Sequence, residues 1–442
     1  MSALPLARNS ARGGERVKRV EGLRLIMTRL CALLAGLLLC CPGTLFADDW
    51  PRFRGPTGQG ISTEKSPPLH WSENENLAWA TPIPGAGWSS PVVCGGRVFV
   101  TTATNKGTSC HVLCLDKKSG QILWDQEVFR QELRRKQEKN SYATPTPATD
   151  GQLVFAVFAG GSLAALDYAG RIVWTYRQVK FYSQHGLGAS PILYQDLVIM
   201  PFDGSSPGHD KEVGWLKPWE ESFILALDKR TGQVRWKATR GPSRIAHATP
   251  VVFRNGDRDC LLSTAGNVVQ AFDLETGRRL WSVPNFGEGL APSVVIGDGT
   301  VFAPSGYGQP TLRAIDIRVK EPSIAWEVTK SVPMIPSALF VAPHLFTISE
   351  KGIAQCLEAK TGREVWQKRL GGSYSASPIY AAGKIYLLSE DGDMTVIESA
   401  GAFKELARNS IPGKFQASPA LSDGQLILRS DKQVYCVGRR GL

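Results

Sequence analysis

The chain of 442 residues lacks the short motifs that mark several large enzyme classes. It has no Gly-x-x-x-x-Gly-Lys phosphate loop, and its six histidines form no His-x-His or His-Glu-x-x-His pair. A P-loop nucleotide site and a zincin-type metal site therefore have no support in the sequence. Charged residues make up 21% of the chain and apolar residues 43%. These ordinary values exclude a disordered, collagen-like or coiled-coil chain.

Long apolar runs are also missing. The run at residues 30–39 is too short for a convincing transmembrane helix. A basic stretch precedes it and Leu45-Phe46-Ala47 follows it, which is typical of a secretory signal peptide. We therefore expect residues 1–47 to be a signal peptide, with Met27 as a candidate true start, and an uncleaved anchor as the alternative. The mature protein would be periplasmic or extracellular, with outer-membrane association left open, and would not be an integral membrane protein.

Little charge of one sign remains after that segment. The chain has a formal net charge of +11, but residues 1–47 hold seven basic and only two acidic residues. The rest is mildly basic, so no nucleic-acid partner is expected. Six cysteines also remain. Cys114, Cys356 and Cys436 share a repeat position that alanine fills elsewhere, which indicates small buried side chains. A disulfide between Cys94 and Cys110 stays open.

An 11-residue unit ending in tryptophan recurs along the chain. It reads Ala/Cys-x-Asp-x-x-Thr/Ser-Gly-x-x-x-Trp, with close copies at residues 114–124, 226–236, 271–281 and 356–366. Looser copies occupy residues 165–174 and 314–326, and the latter has lost its Gly. The tryptophans assigned to this unit are Trp79, Trp124, Trp174, Trp236, Trp281, Trp326 and Trp366. One large aromatic ring per unit can fill the wedge between adjacent sheets.

A second signature lies between the tryptophans: a small residue and Pro, then two short apolar runs separated by a turn. Pro is tolerated at the first residue of a strand. The matches are Ser90-Pro91, Thr144-Pro145 or Thr146-Pro147, Ser190-Pro191, Thr249-Pro250, Ala291-Pro292, Ser377-Pro378 and Ser418-Pro419, and Ser337-Ala338 fills the same position without Pro. These starts predict eight units.

The repeat predicts an all-β, eight-bladed β-propeller of four-stranded antiparallel blades. A lone sheet cannot bury both faces, and radial repetition gives it a neighbour on each side. The last unit ends after its third strand, whereas the Trp79 segment supplies an unmatched strand. We therefore expect an N-terminal strand to complete the last blade. Residues 75–438 would form one propeller, and residues 48–74 an N-terminal arm.

The repeat resembles the tryptophan-docking motif of the quinoprotein alcohol dehydrogenase-like superfamily. Asp49-Trp50-Pro51-Arg52-Phe53-Arg54-Gly55-Pro56 is similar to the start of exported, BamB-like proteins with PQQ-binding-like repeats. The resemblance implies that the Trp of each blade docks between blades. It also implies that an enzyme of this fold carries a vicinal disulfide and a calcium site beside its quinone. The only vicinal cysteines, Cys40-Cys41, lie in the expected signal peptide.

Segments that precede the innermost strands of a propeller face a shared funnel. These segments predict a ligand or peptide site, because aromatic rings with a few polar groups suit a concave surface. The residues assigned to it are Trp88, Tyr142, His185, Arg244, His247, Tyr374 and Gln416, with Met334 and Phe415 also in these segments. Alternatively, these side chains pack on one another and plug the channel.

Two insertions break the period, at residues 130–140 and 203–222. Long loops in compact domains are often functional, so each is a candidate lid or contact patch. A metal site from Asp203, His209 and Asp210 is the less favoured interpretation of the second insertion. No metal site is predicted overall.

The leading hypothesis is a non-catalytic scaffold in the cell envelope that binds a protein or peptide partner and acts as a monomer without a cofactor. The alternative is a divergent quinoprotein oxidoreductase, with pyrroloquinoline quinone and calcium in the funnel. Carbohydrate or small-ligand binding remains a third hypothesis. Fold alone does not decide between them.

Overall fold

The computed structural model describes residues 49–438, together with Met1. The expected signal peptide and the vicinal cysteines therefore lie outside the described range. Apart from a single 3-10 turn at Asn105–Gly107, the regular structure within this range is all β. No helix there is long and apolar enough to cross a bilayer.

Thirty-two of the strands form eight four-stranded antiparallel sheets, which confirms the predicted eight-bladed propeller. Blade 1 holds β2 (Val92–Cys94), β3 (Arg97–Thr104), β4 (Ser109–Asp116) and β5 (Ile122–Arg130). Blade 2 holds β6 (Ala148–Thr149), β7 (Leu153–Val157), β8 (Leu163–Asp167) and β9 (Ile172–Tyr176). Blade 3 holds β10 (Ile192–Tyr194), β11 (Leu197–Phe202), β12 (Phe223–Asp228) and β13 (Val234–Thr239). Blade 4 holds β14 (Val251–Asn255), β15 (Arg258–Ala265), β16 (Val268–Asp273) and β17 (Arg279–Pro284).

The second half repeats this plan, with one small addition. Blade 5 holds β19 (Val295–Gly297), β20 (Thr300–Pro304), β22 (Leu312–Asp316) and β23 (Ser323–Val328), plus an extra pair, β18 (Gly287–Glu288) and β21 (Tyr307–Gly308). Blade 6 holds β24 (Leu339–Val341), β25 (His344–Ile348), β26 (Ile353–Glu358) and β27 (Glu364–Arg369). Blade 7 holds β28 (Ile379–Ala381), β29 (Lys384–Leu388), β30 (Asp393–Glu398) and β31 (Glu405–Ser410). Blade 8 holds β32 (Ala420–Ser422), β33 (Gln425–Arg429) and β34 (Gln433–Val437).

The fourth strand of blade 8 comes from the other end of the propeller sequence. The strand β1 (Leu77–Pro82) pairs antiparallel with β34, with Leu77 opposite Val437 and Pro82 opposite Gln433. This confirms the expected closure by an N-terminal strand. With β1 in place, each of the eight described blades has four strands and a neighbouring blade on both sides. The blades therefore form a continuous ring.

The four close copies of the Trp unit form the same hairpin, and blade 3 shows why. Asp228 Oδ1 accepts hydrogen bonds from the backbone N–H and the hydroxyl of Thr231, both at 3.0 Å. Gly232 follows with φ +71°, and the Trp174 ring of blade 2 lies directly on it. A Cβ at that position would lie 2.7 Å from the ring, so only glycine fits.

Six of the seven tryptophans join one blade to the next through the indole N–H. They donate to Lys117 O, Tyr168 O, Lys229 O, Leu274 O, Ala359 O and Ala400 O at 2.9–3.1 Å. The exception is Trp281, which makes no such bond among the described residues. The next blade, blade 5, is the one whose turn lost its Gly.

The core lies between blades rather than within one. Between blades 3 and 4, for example, Ile199 and Trp236 pack with Leu261 and Phe272. All six described cysteines are free and buried, so Cys94 and Cys110 do not form a disulfide. Burial raises the pKa of both thiols to about 12.

Candidate functional site

A ring of eight Ser and Thr residues surrounds the axis where the inner strands begin. Each ring hydroxyl accepts a hydrogen bond from the backbone N–H of the ring residue one blade before it, at 2.9–3.0 Å, and the last bond returns to the first blade. The ring residues are Ser90, Thr146, Ser190, Thr249, Ser293, Ser337, Ser377 and Ser418. A closed hydrogen-bonded circle therefore fixes the register of all eight blades.

The ring decides two positions that the Ser-Pro signature treated differently. In blade 2 it selects Thr146-Pro147 and not Thr144-Pro145. In blade 5 the predicted start at Ala291-Pro292 is wrong by two residues, because Ser293, after the proline, takes the ring position. The pattern of a small residue before Pro could not separate these alternatives without the neighbouring blades.

Above the ring lies a funnel of about 460 Å³. Four of the predicted funnel residues line it, namely Trp88, His185, His247 and Gln416. Trp215, Tyr307, Lys139 and Asn140 also line it, and they come from insertions or from the extra strand pair of blade 5. No aspartate or glutamate of residues 49–438 is among the lining residues.

The other predicted funnel residues lie elsewhere. Tyr374 is 2% exposed and packs in the core of blades 6 and 7. Tyr142 donates its hydroxyl to Arg134 O at 2.8 Å and lines a separate crevice under residues 131–136. Arg244 is half-buried, and its backbone N–H donates to Asn267 Oδ1 at 2.7 Å. Phe415 is fully buried. Sequence position placed these segments correctly but could not give the direction of each side chain.

The insertion 203–222 brings Trp215 over the funnel. The Trp215 ring stands edge-on to His185, with ring centroids 4.7 Å apart, and covers Gly289 so closely that a Cβ there would collide with it. The backbone of Ser243 pairs with Trp219, and Ile245 N–H donates to Gly214 O at 2.7 Å. These bonds hold the insertion against blade 4, so Trp215 forms part of the wall.

The metal interpretation of this insertion is wrong. Asp203 is buried and forms an ion pair with Arg240, whose Nη2 also donates to Ser263 Oγ at 2.7 Å. Asp210 forms an ion pair with Lys217 at 3.1 Å. No cluster of three His, Cys, Asp or Glu side chains suited to a metal occurs in the described part of the chain.

The same insertion contains a motif that sequence reasoning missed. Residues 204–208 spell Gly-x-Ser-x-Gly, a pattern found at the nucleophile of many hydrolases. The Ser206 hydroxyl accepts a hydrogen bond from Gly208 N–H at 3.1 Å, and no described histidine or carboxylate bonds to it. The segment is not a strand-to-helix turn, so the match carries no nucleophile.

The insertion 130–140 reaches across the funnel mouth. Lys139 Nζ contacts Glu390 of blade 7 at 3.0 Å, and Asn140 Nδ2 donates to His185 O at 2.7 Å. Ser375 also donates to Glu390 Oε1. This insertion therefore ties blades 1 and 2 to blade 7 at the rim.

The two funnel histidines are neutral at pH 7. Burial lowers the pKa of His247 to about 4, and the nearby His185 adds to this effect. Burial also lowers the pKa of His185, with Arg135 as a second cause. The His247 Nδ1 is buried without a hydrogen-bond partner in the described structure. The funnel is therefore an aromatic, largely uncharged cavity.

We expect this histidine to make the fold sensitive to acid. The folded-state pKa of His247 lies below the ordinary value near 6.5. Above pH 6.5 the neutral ring therefore does not reduce the free energy of unfolding. As pH falls from 6.5 toward 4, protonation favours the unfolded chain and the free energy of unfolding decreases. From pH 8 to pH 5 the free energy of unfolding should decrease by about 1–2 kcal/mol less in the His247→Gln variant than in the wild type. Urea unfolding at the two pH values measures this, and parallel losses would contradict it.

The opposite mouth of the channel is covered by residues 49–61. Trp50 bridges to Val93 of blade 1, Thr149 N–H of blade 2 donates to Pro51 O, and Ile61 bridges to Tyr380 of blade 7. Gln59 Oε1 accepts the Ile296 N–H of blade 5 at 2.9 Å. Phe53 reaches the funnel lining from this side. The segment forms a floor, so the funnel opens at one end.

The family model described as outer membrane protein assembly factor BamB matches residues 57–264, 220–329 and 265–403. These overlapping matches cover most of the propeller. The chain belongs to the BamB family.

Two BamB proteins that are similar to this BamB-family chain differ from it widely in sequence. The outer membrane protein assembly factor BamB of Shewanella oneidensis is 20% identical over 221 residues, which are 47% of this chain and 54% of that protein. The match thus spans only about half of that relative's length. The structure of BamB from Moraxella catarrhalis superposes with a TM-score of 0.56 at 14% identity, covering 82% of this chain and 99% of that one.

An enzyme shares the fold as well. A europium-containing methanol dehydrogenase superposes with a TM-score of 0.63 at 14% identity, covering 88% of this BamB-family chain and 91% of the dehydrogenase. At this identity the likeness shows the fold alone. The funnel residues have to decide the function.

Proposed function

We propose that this protein is a non-catalytic propeller of the cell envelope whose funnel binds a segment of a partner protein or a small ligand. The observation that carries this proposal is the composition of the funnel: the described lining residues place aromatic rings, amides, hydroxyls and neutral histidines around about 460 Å³ and include no carboxylate. Such a lining binds by shape, stacking and hydrogen bonding. The family description and the expected signal peptide support an envelope location.

The residues present do not fit the quinone alternative. Calcium needs several carboxylate, carbonyl or amide oxygens around one point, and the described lining residues offer amides but no carboxylate. Among the described lining residues the one lysine, Lys139, is already paired with Glu390. No described cysteine is vicinal to another, and all six are buried as free thiols. The described lining residues therefore do not favour a catalytic step through a calcium–quinone pair.

Site-specific photocrosslinking tests the proposal. A photoreactive phenylalanine analogue at Tyr307, which lines the funnel and is 36% exposed, should crosslink an envelope polypeptide in living cells. The same analogue at Leu123, exposed on the outer strand of blade 1, is the control and should not. Trp215→Ala should weaken the Tyr307 crosslink, whereas Leu216→Ala, at the exposed neighbour, should leave it unchanged.

Titration with pyrroloquinoline quinone, with and without calcium, separates the two functions. We expect no heat of binding and no change in quinone absorbance at micromolar protein. Stoichiometric binding with substrate-dependent bleaching of the quinone, together with equal crosslinks from positions 307 and 123, would overturn the scaffold function.

A further inference from the structure

The ring hydroxyls carry a hydrogen-bonding capacity that the fold does not use. Each one accepts a backbone N–H, and a hydroxyl also has one proton to donate. None of the eight donates to a protein acceptor within residues 49–438, and all of them except Ser293 line the funnel. We call the part of the funnel lined by this ring the neck. It is a circle of unused O–H donors, to which an acceptor on the axis could bind.

Two buried arginines next to this ring have no carboxylate partner between residues 49 and 438. Arg54 Nη2 donates to Ala338 O at 2.6 Å, one residue beyond Ser337 of the ring. Arg429 Nη1 donates to Ser89 O at 3.3 Å and to Thr101 O at 2.6 Å, and Ser89 directly precedes Ser90 of the ring. Both side chains are at most 2% exposed, and neither forms an ion pair with any described residue.

The arginines also have unused donors. Nε and Nη1 of Arg54 and Nε of Arg429 are buried without hydrogen-bond partners in the described structure. Burial lowers the pKa of each guanidinium to about 9, which leaves both protonated at neutral pH. An unpaired buried charge is costly, and an anion close by offsets that cost. No acidic side chain in the described part of the chain lines the funnel to supply one.

We propose that the neck of the funnel binds a carboxylate group, presented either by a small aromatic acid or by the C terminus of a polypeptide. The inference rests on the proposed binding function and names its ligand chemistry. The ring hydroxyls donate to the carboxylate oxygens, Arg54 and Arg429 compensate its charge, and Trp88 and Trp215 contact the organic part. A carboxylate suits this site because neutral hydroxyls and cations both stabilise an anionic oxygen.

Calorimetry on the protein without its expected signal peptide, residues 1–47, tests the inference with matched ligand pairs. The probes are 3-phenylpropionate against 3-phenylpropionamide, and the tripeptide Ala-Ala-Trp with a free against an amidated C terminus. We expect each acid to bind at least about tenfold more tightly than its amide. The two acids are then compared with each other: tighter binding of the free tripeptide identifies a polypeptide end as the ligand, and tighter binding of 3-phenylpropionate identifies a small acid.

Three variants separate the neck from general effects of losing a buried arginine. Arg54→Met and Arg429→Met should each weaken acid binding about tenfold or more and leave amide binding unchanged. The control is Arg97→Met, which removes a guanidinium that donates to Tyr168 O at the far end of blade 1 and should change affinity by less than about twofold. If Arg54→Met does not fold, the acid–amide comparison on wild type and the Arg429→Met variant still decide.

Equal affinity for acid and amide, or acid binding that survives both neck variants, would overturn the carboxylate site and leave the proposed scaffold function standing. Binding of inorganic phosphate but of no organic acid would overturn it too. A different result would mean that the proposed function itself is wrong: neither the acids nor the amides bind, and the protein instead binds pyrroloquinoline quinone and bleaches it.

Discussion

A chain that begins at Ile83, without β1, is expected to lose the cooperative unfolding transition of the intact propeller. Its blade 8 would present β34 as an open edge, because β1 is the strand that pairs with it. β1 also joins blade 8 to blade 1. Trp79 Nε1 donates to Lys117 O at 2.9 Å, and Thr81 Oγ1 donates to Gly120 O at 2.7 Å. Removal of one strand thus breaks both a sheet and the closure of the ring.

The free energy of unfolding is expected to fall by several kcal/mol. This is a large part of the stability of a typical domain, which is about 5–15 kcal/mol. Urea unfolding followed by circular dichroism measures it. A chain that begins at Glu75 is the matched control, since it lacks the floor segment but keeps β1. A synthetic peptide of residues 75–84 should restore the transition to the shorter chain. If both truncated chains unfold with the same midpoint and slope, closure by β1 is not the reason.

Replacement of Trp236 by alanine is expected to lower the free energy of unfolding by about 3–5 kcal/mol. The Trp236 side chain is 7% exposed, and its indole N–H donates to Leu274 O of blade 4 at 3.0 Å. It packs in the cluster that joins blades 3 and 4, with Leu261 and Phe272. The substitution would leave a cavity between two blades and an unpaired carbonyl.

The same substitution at Trp281 tests a docking position that holds its tryptophan less firmly. It is half-buried, and no docking hydrogen bond to the next blade occurs among the described residues, so Trp281→Ala should cost clearly less than Trp236→Ala. Leu123→Ala, at a side chain 46% exposed, should change stability by less than about 0.5 kcal/mol. Equal losses at positions 236 and 281 would show that the docking bond and burial do not set the effect.

The funnel was only partly predictable. Trp88, His185, His247 and Gln416 face it, whereas Tyr142 and Tyr374 from equivalent segments do not. Position within the repeat fixes where a backbone segment runs, but the direction of a side chain in an irregular segment depends on what packs beside it. Trp215 was visible as an unusual aromatic in an insertion, and only the fold shows that its ring meets His185.

By itself the sequence determined the number of blades, their four-stranded plan and the closing strand, because Asp, Gly and Trp at fixed spacing encode a local hairpin and its docking surface. The tertiary structure alone decided what the blades build together. The hydroxyl ring joins residues 40 to 59 positions apart, and a single bond across 328 positions closes it. Arg54 comes to lie beside Ala338 only because the floor segment crosses the axis. Such contacts depend on the radial placement of all eight blades, which no local spacing records.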